Sequence, residues 1–239
     1  MKYTLDYIIV PLPRAGSNFL CDMLSCTDMC GKPKETWGDK KKDENVKSKY
    51  PGKSPAEAHS VYVKGYCTKG GITGIKLQPL RIIKAYNDNI FDFLNVKKVI
   101  YLLRHPFDCA VSYKKSKLTK IWRDKEGNIS PDDKYPFNYN PEDFKTLIEN
   151  MEKNLYKAAD ILKDTESSVY YYEDIYNNTA DTLKEIVYDI TGKTLRGDDI
   201  DYNCSIIRTE RDERYCDLYR SMYDENFERM KEKIKNVSG

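Results

Sequence analysis

Tyr7-Ile8-Ile9-Val10-Pro11-Leu12-Pro13-Arg14-Ala15-Gly16-Ser17-Asn18-Phe19-Leu20 is the stretch that decides the fold. An apolar run of strand length enters a tight turn holding Arg, Gly and Ser, and an amphipathic segment follows. That order predicts a buried strand over residues 4–11, an anion-binding loop, and a helix over residues 18–26. Ser17 is the expected N-cap, with Phe19, Leu20, Met23 and Leu24 on one stripe. Backbone N–H groups at a helix start attract an anion, and Arg14 adds a fixed charge. The Gly-Lys-Ser/Thr ending of an ATP-binding phosphate loop is missing, which counts against an ATPase or kinase.

Outward from this loop, a second strand ends in the same way. Val99-Ile100-Tyr101-Leu102-Leu103 is largely apolar, Arg104-His105-Pro106 closes it, and Pro106 opens a helix to Lys120 that carries Ser112. Between the two strands, Gly70-Gly71 precedes a strand over Ile72 to Leu77, and residues 79–94 read as helix. Pro141 opens an amphipathic helix to Lys163, and Ser168 to Tyr172 is a strand. Residues 179–191 form a helix closed by Gly192, and residues 209–235 a long charged helix. Residues 27–53, with Gly31, Pro33, Gly38, Pro51, Gly52 and the run Lys40-Lys41-Lys42, are expected to be an irregular solvated loop. A short helix is expected to begin near Ser54-Pro55. Strands alternating with helices predict an α/β fold with a parallel sheet covered on both faces. Ligands of such sheets bind at the carboxyl edge, so Arg14 and Arg104 suit a ligand phosphorylated at two places.

At 239 residues the chain can bury a full core, and one domain over residues 1–239 is expected. Net charge is only +2, which gives no broad basic field for nucleic acid. No stretch approaches the ~20 apolar residues that cross a bilayer, and the first ten residues, with Asp6, do not read as a signal peptide. The seven cysteines (Cys21, Cys26, Cys30, Cys67, Cys109, Cys204, Cys216) form no Cys-x-x-Cys pair, and the only histidines are His59 and His105. A structural zinc site is not expected; reduced, partly buried thiols in a cytoplasmic protein are. A homodimer is compatible with the sequence.

Together these motifs resemble those of sulfotransferases that use 3′-phosphoadenosine 5′-phosphosulfate (PAPS). The family's 5′-phosphosulfate loop, Pro-Lys/Arg-Ser-Gly-Ser/Thr-x-aromatic, is similar to Pro13-Arg14-Ala15-Gly16-Ser17-Asn18-Phe19, with Ala15 a departure. Its 3′-phosphate motif, an Arg ending a strand and a Ser eight residues later, is matched by Arg104 and Ser112. An aromatic strand running into Tyr-Glu-Asp-hydrophobic is matched by Tyr170-Tyr171-Tyr172-Glu173-Asp174-Ile175. The three elements keep the family's order across residues 8–175. The arginine in the first loop resembles the bacterial, trehalose-type branch that sulfates small molecules such as sugars. That branch carries Gly-x-Pro-x-Glu-aromatic, with the Glu as base. Here Gly31-Lys32-Pro33-Lys34-Glu35-Thr36-Trp37 has the Glu, and the aromatic one place late. In Gly74-Ile75-Lys76-Leu77-Gln78, Gln78 stands where many relatives have a His base, and Gln cannot titrate.

The resemblance implies a three-layer P-loop-like fold with PAPS across the edge of a central parallel sheet flanked by helices. It implies sulfuryl transfer to a hydroxyl of a small-molecule or carbohydrate acceptor, with no metal, nucleic acid or membrane involved. Arg14, Glu35 and Lys76 would form the catalytic set. Arg14, Ala15, Gly16, Ser17, Asn18, Phe19, Arg104, Ser112, Tyr172 and Arg208 would bind PAPS. Arg208, Arg211 and Arg214 are similar to a late basic PAPS-binding loop, although the family's Arg-Lys-Gly is absent. Residues 36–66 and 121–140, with Trp37, Trp122, Tyr135, Phe137 and Tyr139, are expected on the acceptor side. Rival readings stand beside these. Glu35 is also readable as a surface acid, Lys76 as a strand-end lysine with a buried stem, and Phe19 as core. For the whole chain the rivals are a nucleotide or sugar kinase and a non-catalytic binder of sulfated or phosphorylated ligands.

Overall fold

The computed structural model describes residues 2–38, 40–68, 71–119, 140–195 and 216–238. Trp122, Tyr135, Phe137, Tyr139, Cys204, Arg208, Arg211 and Arg214 lie outside the described residues. Four strands, β1 (Tyr3–Pro11), β2 (Gly74–Lys76), β3 (Leu94–Leu103) and β4 (Glu166–Tyr171), form one sheet in the order β2-β1-β3-β4. Every neighbouring pair is parallel. The register brings the carboxyl ends level, with Ile9 beside Lys76, Pro11 beside Leu102, and Leu103 beside Tyr171. Tyr7 to Val10 and Val99 to Leu103 are fully buried. Their continuous burial is what a strand covered on both faces requires.

Helices cover the sheet in two groups, which makes the expected three layers. One group is α1 (Ser17–Cys26), α7 (Tyr172–Asn177) and α8 (Thr179–Thr191), with α8 packed on both others. In the other, α6 (Lys145–Leu162) packs on α4 (Pro79–Asn87), α5 (Pro106–Thr119) and α9 (Asp224–Ser238). The apolar residues of α6 recur at helical spacing, and Ile148, Met151, Leu155, Ala158 and Leu162 are buried. Tyr7 fixes the distance between β1 and β2. Its ring lies over Gly74, where a Cβ would stand 2.1 Å from the ring, and its hydroxyl donates to the Cys30 carbonyl at 2.6 Å.

Several expectations are corrected. The N-cap of α1 is Gly16, in the left-handed region at φ 77°, and Ser17 is already helical. Only a glycine takes that conformation without cost. Residues 27–53 are not simply an irregular loop. They include α2 (Lys40–Lys49), which pairs with α3 (Pro55–Val63), and Cys30, Trp37 and Val46 are buried. The charge run is made of good helix formers, and Val46 supplies the buried contact. Between residues 79 and 94 the helix α4 stops at Asn87, and β2 is three residues long rather than six. The long C-terminal helix is broken, because Arg220–Tyr223 form a tighter turn. There Tyr223 leaves the helix line to stack on Phe107 at 5.3 Å and to donate to the Pro141 carbonyl at 2.7 Å. Among the described residues, no helix is long and apolar enough to cross a membrane.

Candidate functional site

The carboxyl edge of the sheet gathers chemistry from all four strands. After β1, the turn Pro13–Gly16 holds Arg14 at φ 69°, a left-handed conformation that non-glycine residues adopt at a cost of about 1 kcal/mol. Arg14 Nε donates to Ser112 Oγ at 3.1 Å, and Arg104 Nη1 donates to the Arg14 carbonyl at 3.1 Å. Arg104 therefore holds the backbone of the loop while Ser112 holds its side chain. The three residues come from two motifs about ninety positions apart, and β1–β3 pairing unites them.

Two cations this close repel. Burial, and then the charge of Arg104, pull the Arg14 pKa below its ordinary value. Arg104 is buried, and its Nε makes no hydrogen bond among the described residues. Asp108 Oδ2 is 3.9 Å from that Nε but is already held by Arg220, whose Nη2 and Nε reach its two oxygens at 2.9 and 3.2 Å. Against burial, which lowers it, the surrounding Cys109, Tyr172, Asp108 and Glu173 raise the Arg104 pKa; two guanidiniums gathered at one strand end suit a phosphate ligand. Gly16, heading α1, offers no side chain as a cap to the first N–H groups of that helix.

Tyr172 closes the floor. Its ring lies 4.3 Å from the Arg104 guanidinium carbon, and a Cβ on Gly16 would come within 2.4 Å of it. The tyrosine is buried, so it acts as a platform under the loop and under Arg104. Ala15 is fully buried, Ser17 is buried, Asn18 is exposed, and Phe19 is partly buried against the core.

At the β2 end lies a second cluster. Residue 35 bridges to Lys76 beside β2, with the Lys76 N–H donating to the Lys34 carbonyl at 3.1 Å. Lys76 Nζ donates to Asn18 Oδ1 at 2.6 Å and lies 3.9 Å from Glu35 Oε2. The other carboxylate oxygen of Glu35 lies 2.8 Å from Arg81 Nε, and Arg81 Nη1 donates to the Trp37 carbonyl at 3.0 Å. Behind this segment, Trp37 meets His59 edge-on at 4.0 Å, and Asp43 lies 3.3 Å from His59 Nε2. Burial lowers the His59 pKa to about 4, against the pull of Asp43. Gln78 immediately precedes α4. His105 lies 3.1 Å from Asp224 and edge-on to Phe227, joining the start of α5 to α9.

The structure therefore brings Arg14, Arg104, Ser112 and Tyr172 into one cluster and Asn18, Glu35 and Lys76 into another on the same edge. Arg81 and the Asp108–Arg220 pair were not found from sequence. Neither carries a local pattern: Arg81 reaches Trp37 44 residues away, and Arg220 reaches Asp108 112 residues away.

No family model matches the chain, and neither does any curated protein. Solved structures do resemble it. The sulfotransferase domain from the curacin biosynthetic pathway is 15% identical at a TM-score of 0.48, covering 86% of this chain and 80% of that one. A sulfotransferase from Alicyclobacillus acidocaldarius is 13% identical at 0.46, covering 98% and 95%. A mouse sulfotransferase complexed with PAP is 13% identical at 0.47, covering 97% and 89%.

Proposed function

We propose that the chain transfers a sulfuryl group from PAPS to a hydroxyl of a small-molecule or carbohydrate acceptor. The observation that carries this reading is the joined pair Arg14–Arg104, with Ser112, on a loop that starts a helix. It offers positive charge to two anionic groups of one ligand. The acid–lysine pair Glu35–Lys76 stands at the neighbouring strand end, where a reacting group would lie.

In this reading Arg104 and Ser112 hold the 3′-phosphate of the donor. Arg14 and the N–H groups of the loop face the 5′-phosphosulfate. The acceptor oxygen bonds to sulfur as the sulfur–oxygen bond to the phosphate breaks, and negative charge builds on the departing oxygen. Arg14 stabilises that charge, as a fixed donor does in acyl or phosphoryl transfer. Glu35 takes the acceptor's proton. Lys76 adds positive charge beside the sulfuryl oxygens, held in place by Asn18. The match of the Glu35 segment to the trehalose-type branch supports a sugar-like acceptor.

The test is calorimetry with 3′,5′-bisphosphoadenosine (PAP), followed by PAP release from labelled PAPS across a panel of sugars and other small hydroxyl compounds, with a chelator present. Binding of PAP, and chelator-insensitive release with at least one acceptor, are expected. Binding without release from any acceptor would leave a binder of phosphorylated ligands and overturn the transferase. Absence of PAP binding would overturn the site itself.

A further inference from the structure

We infer that Arg81 is a positioning residue that sets which oxygen of Glu35 meets the acceptor. The inference rests on the sulfuryl-transfer reading for the role of Glu35 as base and for the acceptor whose proton it takes. Arg81 lies near the start of α4, five residues after Lys76. It engages the segment carrying Glu35 at three points. Its Nε lies 2.8 Å from Glu35 Oε1, and its Nη1 donates to the Trp37 carbonyl at 3.0 Å. Gly38 packs on the same guanidinium so closely that a Cβ there would sit 2.7 Å from Nη1 and 3.3 Å from Cδ. The glycine, at φ 85°, lets the chain turn around the arginine.

A planar guanidinium that donates to a carbonyl and pairs in charge with a carboxylate of the same segment restricts both. Oε1 is the oxygen paired in charge with Arg81, and Oε2 is the one turned toward Lys76, 3.9 Å from its Nζ. When the acceptor oxygen bonds to sulfur and PAP departs, the acceptor's proton passes to Oε2 and later to water. Arg81 touches none of the reacting atoms; it acts through Glu35.

A double-mutant cycle tests this, with Arg81→Gln, Glu35→Gln and the pair, read as kcat for PAP release with the best acceptor of the panel and as PAP affinity. Arg81→Gln is expected to lower kcat roughly ten- to a hundredfold, a range set by misplacement of a reacting group. PAP affinity should stay within about twofold, because the Arg14–Arg104 grip is separate. In the Glu35→Gln background, Arg81→Gln should cost nothing further. With Glu35 present, Arg81→Lys, which keeps the charge, should retain part of the rate that Arg81→Gln loses. Multiplying effects in the double variant would overturn the inference, as would loss of PAP affinity. An arm without turnover uses amide hydrogen exchange at Lys76, whose N–H is bonded to Lys34. Faster exchange in Arg81→Gln supports the clamp even if no acceptor is found, and unchanged exchange overturns it. Silence of the wild-type chain toward all acceptors would instead count against the transferase reading.

Discussion

On the β1–β3 side of the sheet edge, Arg14 and Arg104 are held together although like charges repel; on the β2 side, Glu35 stands between Lys76 and Arg81. In the first cluster two guanidiniums are held together at one strand end, with Asp108 shared between Arg104 and Arg220. In the second, one acid is set between two cations and its orientation is pinned. Guanidiniums gathered at a strand end suit an anionic ligand. A carboxylate held in one orientation is placed to take a proton. The two ends should therefore fail differently when they are broken.

The largest effect is expected from Arg14→Ala. It removes the charge facing the leaving oxygen and should cost about 100- to 1,000-fold in transfer rate, the range for losing one fixed donor of this kind. PAP affinity should fall as well, and circular dichroism should be unchanged. Full transfer rate in this variant would overturn the assignment of the β1 loop. Glu35→Gln comes next. It should slow transfer by about two orders of magnitude, as loss of a general base does, while PAP binds within about twofold of the wild-type affinity. If calorimetry shows PAP affinity dropping with Glu35→Gln, the two ends are one site and the contrast disappears.

Acid should weaken the fold on both sides of the edge, through His59 behind the Glu35 segment and His105 beside Arg104. Folded His59 holds its proton only below about pH 4, whereas an unfolded histidine does so below about pH 6.5. As pH falls, the unfolded chain takes up this proton earlier. The stability linked to neutral His59 is thus complete above about pH 6.5 and lost between there and about pH 4. The loss is about 3 kcal/mol from the size of the shift. His105, lowered by burial as well, acts in the same direction. Denaturant unfolding at a series of pH values should show this decline, and His59→Gln should flatten part of it. A decline of equal size in His59→Gln would place the acid sensitivity elsewhere.

These two sides also differ in how much of them can be read from sequence. The phosphate end is built from two short motifs, each a strand end running into a helix, so local pattern locates Arg14, Arg104 and Ser112. Parallel pairing of β1 with β3 does the rest. At the β2 end only Glu35 and Lys76 have local signals. What joins them is a bridge outside the regular strands and a clamp from α4, neither of which leaves a periodic trace. Residues 40–49 carry no apolar stripe of helical spacing, since Val46 is the one apolar residue among them, so the pattern does not announce α2. The break in the C-terminal helix comes from Tyr223 and Arg220 reaching Pro141 and Asp108, contacts set by tertiary packing that leave no mark in the local pattern.

The smallest effect should come from the outer support of the β2 side. Ser54 caps α3 with a reciprocal pair of bonds, its Oγ accepting from the Glu57 N–H at 3.2 Å and its own N–H donating to the Glu57 carboxylate at 3.0 Å. That helix carries His59, whose ring holds Trp37 behind the Glu35 segment. Ser54→Ala should lower stability by about 1 kcal/mol, the usual cost of a lost cap, measured by chemical denaturation. Because α3 touches neither Arg14 nor Arg104 in the contacts described, PAP affinity should not change. If calorimetry instead finds PAP binding weakened along with stability, the support of the acid end reaches the phosphate end, and the two halves of the edge are mechanically one.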